Sequence, residues 1–515
     1  MNFITKHDEK PKITLSDFFG QIYETDQDEL PKFKIFIEGN WVFSKDGSTF
    51  DVESPIDNSI IARASRATLE DSKNAVRAAY ENKQKIREIP AIERLLIFEK
   101  ARELLLQHKD EVVNVLITEL GKTLKGAEGE VHATAERLKL AMEEARKIYG
   151  EYIPGDWVED TVGKFSLVVR EPIGVVLTIT PFNYPLFIAS AKIIPALVSG
   201  NAVVAKPSSD TPITLLLFAR ILEAAGIPSG TLNVITGGGK EVGDALVASN
   251  EISMISFTGS TDVGKRIANI AGIKKLHLEL GGKTAGIVLG DADLDLAARK
   301  CVEGALKNSG QRCDGISRIL VQEKVADAFV QKTLEEVEKW TIGDPRDPNT
   351  KVGPLTNEAA LKKVDRLVQD AIHKGAKLLK GGTYNKFYYS PTILDFVPLT
   401  ADIAWEETFG PVVTVIRVKD LDEAIQVANK SKYGLDSAVF TNSFYNAWKA
   451  AKLLQDGEIT INDAPAHGVG NFPFGGVKES GIGREGLGYS IDEMTTIKTI
   501  VFNLEPAGLG KAKKH

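Results

Sequence analysis

Between residues 174 and 290 short apolar runs alternate with longer amphipathic ones. The runs GVVLTIT, AVVAKP, TLNVIT, SMISFTG, KLHLEL and TAGIVLG are rich in β-branched residues, the composition of strands buried on both faces. Segments 185–198, 211–225, 240–248 and 261–271 separate the first five and carry helical periodicity. Strands alternating with helices predict parallel β-α-β units with right-handed crossovers, and so a doubly wound sheet. After Asp293 the alternation resumes, with strands at 316–321, 411–417, 434–440 and 459–462 and helices at 294–308, 324–338, 356–374, 421–430 and 443–454. This predicts a second α/β unit.

The rest of the chain reads differently. Residues 1–30 are polar and aperiodic, a short helix and an arm. Residues 34–42 alternate around Glu38-Gly39-Asn40 and predict a hairpin. From 68 to 150 the pattern is helical, and its charges are solvated faces. Residues 152–171 predict a second hairpin, turning at Val162-Gly163-Lys164, and 495–503 an edge strand with no local partner, paired elsewhere or with another subunit.

A chain of 515 residues exceeds one compact core, so two or three domains are expected. A net charge of -7, with basic residues interspersed except in the tail GKAKKH, leaves no nucleic-acid footprint. Two cysteines exclude a disulfide framework and suit a reducing compartment. The start MNFITKHDEKPK has no apolar signal core, and no uncharged apolar run approaches the ~20 residues of a membrane span. These features predict a soluble, cytoplasmic protein that binds neither membrane nor nucleic acid.

Candidate chemistry centres on NSGQRCDG, residues 308–315. Cys301, at helical spacing, reads as a core filler. Cys313 follows a polar break before a strand, where a thiol can floor a pocket, and the neighbouring Arg312 would favour its thiolate. An inert half-buried thiol is the plainer alternative. Residues 259–266 nearly match a phosphate-binding loop, but Arg266 replaces the metal-binding hydroxyl. Ser260 there is either part of a pyrophosphate site or only an N-cap. Gly481, Gly483 and Gly486 match GxGxxG but follow no strand, and read as a turn. Three residues end predicted strands: Glu279 could be a general base, Asn183 an oxyanion donor, and Lys206 a partner for ribose hydroxyls. A surface glutamate and an Asx turn are the plain readings of the first two. No metal site is read.

The blocks PFNYP, SGNAVVAKPS, FTGSTDVGK, LELGGK, GQRC, EETFGPV and NFPFGGVKESGIGREG, in this order, resemble the aldehyde dehydrogenase superfamily over about residues 35–500. The resemblance implies a Rossmann-like cofactor domain (30–150 and 172–280), an α/β catalytic domain (281–480), a small β oligomerisation element (151–171 and 489–505), and a homotetramer or homodimer. It assigns Cys313 as nucleophile, Glu279 as base and Asn183 as oxyanion donor. To the cofactor it assigns Lys206, Ser260, Glu407 and Phe409. NAD-using members often carry glutamate where this chain has Ser209, so NADP is expected, with NAD possible. Arg312 and Tyr184 resemble the non-phosphorylating glyceraldehyde-3-phosphate dehydrogenases and imply an anionic aldehyde. His467 and Ala133 stand where that group has arginines, and Asp314 beside the nucleophile is unusual. Succinic semialdehyde, lactaldehyde or glyceraldehyde are the alternative substrates. A non-catalytic relative should have lost Cys313, Glu279 or Asn183, and all three are present.

Overall fold

The computed structural model describes residues 9–468 and 470–504. The start of the N-terminal arm (1–8), residue 505 of the expected oligomerisation element and the basic tail (510–515) lie outside the described residues.

The doubly wound sheet is present. Its parallel centre runs Lys275–Glu279, Met254–Thr258, Val175–Ile179, Ala202–Lys206, Leu232–Val234. The chain enters at Val175–Ile179, builds outward through two strands, then returns to the other side of the first. That reversal opens a crevice at the carboxyl ends of the strands. Strand Ala202–Lys206 shows why helices cover both faces. Val203 and Ala205 pack among helices Phe187–Val198, Pro212–Ala225 and Ala91–Gln107, whereas Ala202 and Val204 pack against Leu69–Glu88 and Thr261–Ala271.

Each edge of this sheet gains antiparallel strands. Ile35–Ile37 and Asn40–Val42 form the predicted hairpin, its turn made by Glu38 and Gly39 with φ of 54° and 79°. At the other edge Gly481–Ile482 pairs with Leu278 and Glu279. The GxGxxG stretch is thus more than a turn: it supplies a short strand beside Glu279. Gly481, at φ 154°, is needed there because a Cβ would collide with the Leu278 carbonyl.

The sixth apolar run, Ala285–Val288, leaves the first sheet for a second. That sheet runs Lys377–Lys380, Thr392–Asp395, Val412–Val418, Arg318–Gln322, Ala285–Val288, Asp436–Phe440, Glu458–Ile461, parallel except at its first strand. The chain crosses from one sheet to the other between Glu279 and Ala285, so Glu279 stands at the seam.

The edge strand Thr495–Asn503 does have a partner in its own chain. It pairs antiparallel along its whole length with Lys164–Pro172, whose other neighbour is Glu151–Pro154. After Thr495 every residue of that strand is exposed. The pattern also missed a four-stranded sheet of Tyr23–Thr25, Pro31–Phe33, Ile60–Ser65 and Thr49–Glu53. Among the described residues, no helix is long and apolar enough to cross a membrane.

Candidate active site

The nucleophile loop is set by an unusual turn. After helix Leu294–Leu306, residues Asn308, Ser309 and Gly310 take φ of 55°, 56° and 71°. Two non-glycine residues in the left-handed region cost about 1 kcal/mol or more each, and side-chain bonds hold them there. Asn308 donates to the Asn183 and Gln311 carbonyls, both at 3.2 Å, and Ser309 to the Gly353 carbonyl at 3.0 Å. Gln311 accepts from the Thr356 N–H at 2.9 Å.

Cys313, half-buried, lines a cavity of about 830 Å³. Arg312, Asp314, Tyr184, Ala133 and His467 line the same cavity, and its lysines and arginines outnumber its carboxylates. Cys301, in contrast, is fully buried in the core beneath the second sheet.

Arg312 and a Cys313 thiolate attract each other, as expected, but the attraction is outweighed. Arg312 Nη2 lies 2.7 Å from Asp314 Oδ2 and donates to the Pro465 carbonyl at 3.1 Å. Loss of water around the sulfur, then the charges of Asp314, Asp436, Glu279 and Glu407, push the Cys313 thiol well above its usual range. Arg312 is paired with its neighbour Asp314, and the surroundings of Cys313 favour the protonated thiol.

Asn183 follows strand Val175–Ile179 and is buried. One of its side-chain N–H groups goes to the Gln311 carbonyl at 3.0 Å, two residues before Cys313, while Oδ1 has no partner among the described residues. The Asx-turn reading therefore falls away. Its turn is anchored from below by a buried ion pair between Lys122 and Glu130. Lys122 donates to the Asn183 carbonyl at 2.9 Å and sits 3.6 Å from the Tyr184 ring centre. Glu130 accepts the N–H groups of Leu186 and Phe187 at 2.9 and 3.0 Å, where helix Phe187–Val198 begins.

Glu279 is buried at the end of its strand, not a surface residue. Its Oε1 is 3.1 Å from His277 Nε2, and Oε2 has no partner among the described residues. His277 Nδ1 lies 3.2 Å from Glu493. Burial raises the Glu279 carboxyl above its ordinary value, and His277 opposes the rise. Burial disfavours a charged His277, but Glu279 and Glu493 outweigh it and bring its pKa to about 9. Sequence reading passed over His277, although its place two residues before Glu279 puts both on one strand face.

None of the cofactor candidates lines the Cys313 cavity. Lys206 is buried at its strand end, where among the described residues its ammonium finds only the Pro207 carbonyl at 3.3 Å, and burial lowers its pKa to about 8. Ser209 donates to the Gly237 carbonyl at 3.1 Å. Ser260 caps helix Thr261–Ala271 by accepting the Val263 N–H at 3.4 Å. Glu407 accepts the Gly282 N–H at 3.2 Å, and Phe409, at φ 55°, meets Phe182 edge-on at 5.9 Å. A buried, almost unpartnered lysine at the crevice of a doubly wound sheet fits a polyanionic dinucleotide. Among the described residues no cluster of His, Cys, Asp and Glu is arranged for a metal.

His467 points inward. Its Nε2 is 2.8 Å from Glu485, which also pairs with Lys192 at 2.7 Å, and its Nδ1 is 3.4 Å from Arg137.

Residues 41–500 match the model of the aldehyde dehydrogenase family. The chain belongs to that family. It is therefore an oxidoreductase acting on an aldehyde. It is 40% identical over 474 residues to an NADP-dependent glyceraldehyde-3-phosphate dehydrogenase of Streptococcus equinus, covering 92% of this chain and 99% of the relative. A lactaldehyde dehydrogenase of Methanococcus aeolicus is 38% identical, covering 91% and 100%. The solved NADP-dependent glyceraldehyde-3-phosphate dehydrogenase of Bacillus halodurans C-125, complexed with NADP, superposes with a TM-score of 0.90 at 39% identity, covering 92% and 99%. This aldehyde dehydrogenase thus has the fold that its sheets suggested.

Proposed function

We propose that this aldehyde dehydrogenase oxidises D-glyceraldehyde 3-phosphate to 3-phosphoglycerate, irreversibly, with NADP. The observation that carries the reading is the Cys313 cavity, with Tyr184 and Arg312 at the nucleophile and an excess of basic side chains. The Streptococcus equinus and Bacillus halodurans relatives support both substrate and cofactor.

Cys313 gives up its proton and its sulfur bonds the aldehyde carbon. The resulting oxyanion takes hydrogen bonds from the second N–H of Asn183 and the Cys313 backbone N–H. The bound nicotinamide supplies the hydride acceptor. Cys313 then carries a thioester, Glu279 takes a proton from water, and that water's attack frees the acid and the thiol. Lys206 and the N-terminus of helix Thr261–Ala271 at Ser260 hold the cofactor's anionic half, while Glu407 and Phe409 hold its nicotinamide ribose. Ser209 brings no carboxylate against a 2′-phosphate, hence NADP over NAD.

One observation favours a second reading. Asp314 neutralises Arg312, which suits an unphosphorylated substrate such as lactaldehyde or succinic semialdehyde, and the Methanococcus aeolicus relative supports it. The exposed strand Thr495–Asn503 supports a homodimer or homotetramer, in which a partner subunit covers it.

The test is NADP⁺ reduction by the purified protein with glyceraldehyde 3-phosphate, without added phosphate, with NAD⁺, lactaldehyde and succinic semialdehyde in parallel and Cys313→Ala as blank. A higher kcat/KM for the phosphorylated aldehyde is expected. Equal or better turnover of lactaldehyde would replace that reading with the second.

A further inference from the structure

The proposed substrate brings an anion into the Cys313 cavity, so the group that receives it has to be a cation not already neutralised. Arg312 is held by Asp314 at 2.7 Å and by the Pro465 carbonyl. Lys122 is paired with buried Glu130. Lys339 pairs with Glu336 at 2.5 Å, and His467 is turned onto Glu485 at 2.8 Å. Lys122, Lys339 and His467 would have to break an existing contact to bind a tail. Arg312, although its Nη1 and Nε make no bond among the described residues, would hold the Asp314 carboxylate against it.

Lys307 is different. It ends helix Leu294–Leu306, six positions before the nucleophile, and lines the same cavity. Among the described residues its ammonium makes no ion pair and no hydrogen bond, not even to the free carbonyls at the helix end. Asn308, Ser309 and Gly310, all at positive φ, join it rigidly to Cys313. Loss of water, then the Arg312 charge, disfavour its protonated form. The Lys307 and Arg312 charges also act together on Lys122. Lys307, Arg312 and Lys122 therefore act on one another at this cavity, two with partners and one without; Glu303 and Asp314 offset part of the repulsion at Lys307, and an anion would relieve the rest.

We infer that Lys307 is the specificity residue of this site: its ammonium takes the anionic tail, phosphate or carboxylate, of a short aldehyde whose carbonyl lies at Cys313. The inference rests on the reading of the substrate as an anionic aldehyde. It differs in giving the tail to Lys307, with Arg312 kept by Asp314 as part of the wall. Lys125 and Arg299, exposed like Lys307 and likewise without an ion pair among the described residues, line the same cavity and add a positive approach, but Lys307 is the one of the three within the turn that leads to Cys313.

The experiment compares Lys307→Met, Lys307→Arg and the wild type, reading kcat/KM for glyceraldehyde 3-phosphate, succinic semialdehyde and uncharged propionaldehyde. It also reads inhibition of propionaldehyde oxidation by inorganic phosphate. In Lys307→Met the ratio of kcat/KM for either anionic aldehyde to that for propionaldehyde falls at least tenfold, through KM. The phosphate inhibition constant rises by a similar factor, and Lys307→Arg restores both. Proportional losses on all three aldehydes, with phosphate inhibition intact, would overturn the assignment. A wild type that prefers propionaldehyde overturns the anionic-substrate reading instead, and the phosphate arm then decides Lys307 alone. A fall for only one anionic aldehyde says which tail the site takes.

Discussion

Arg312 and Asp314 close on each other at 2.7 Å across the backbone of Cys313. Asp314 holds Arg312 and, with Asp436, Glu279 and Glu407, disfavours the thiolate more than Arg312 favours it. Asp314→Asn removes one of those charges and releases Arg312. The pH midpoint for alkylation of Cys313 by iodoacetamide should then move down by about one unit, and the rate at pH 7 should rise several-fold. A midpoint that moves up would mean that the pair as a whole supports the thiolate.

In the proposed mechanism Glu279 acts only after the thioester forms. Glu279→Gln should lower steady-state turnover by about 10²–10⁴ while a burst of one NADPH per site survives in rapid mixing. Loss of the burst would place Glu279 at an earlier step.

In the same mechanism His277 would set the working range of that base. Burial raises the Glu279 pKa and His277 opposes it. A carboxylate base is active above its pKa and fails as pH falls through it. Removing the opposing partner in His277→Leu should therefore shift the acidic limb of kcat to higher pH. An unmoved limb would free Glu279 from this contact.

Lys206 is a cation only below its pKa of about 8. The KM for NADP should accordingly climb as pH passes 8 in the wild type. Lys206→Met should raise that KM at neutral pH by tenfold or more and flatten its dependence on pH. Initial-rate measurements at fixed, saturating aldehyde from pH 6.5 to 9 would show both effects.

Much of this arrangement was legible in the sequence. The strand-helix alternation is strong because strands such as Ala202–Lys206 are apolar on both faces. Glu279, Asn183 and Lys206 stand out because they break that apolar pattern where strands end. The short strands Tyr23–Thr25 and Pro31–Phe33 stayed hidden because they are mostly half-buried or exposed and show no clean period. The fate of Arg312 was hidden for a different reason. Whether adjacent charges at 312 and 314 face a ligand or each other is decided by the turn that carries them. His277 and Lys307 were open to view, but a histidine in a strand and a lysine at a helix end are ordinary until their partners, or lack of them, are known.

Arg318 tests the frame beneath the site. Fully buried, it donates to the carbonyls of Lys283, Ala404, Val427 and Ala428 at 3.0–3.4 Å. It thereby ties the strand after the nucleophile loop to the segment after LELGG. Arg318→Met strands four acceptors and should cost about 3 kcal/mol or more, seen as a fall of several degrees in the thermal unfolding midpoint.

The positive lining of the Cys313 cavity bears on what happens after chemistry. Oxidation of an aldehyde adds a negative charge, so the acid that must leave is held there more strongly than the aldehyde that arrived. A lining that speeds capture thereby slows escape, and departure of the acid becomes the step that salt accelerates. Screening at higher ionic strength weakens both interactions, trading affinity for turnover. If substrate binds there, the balance of charge around the cavity would set how capture is traded against release.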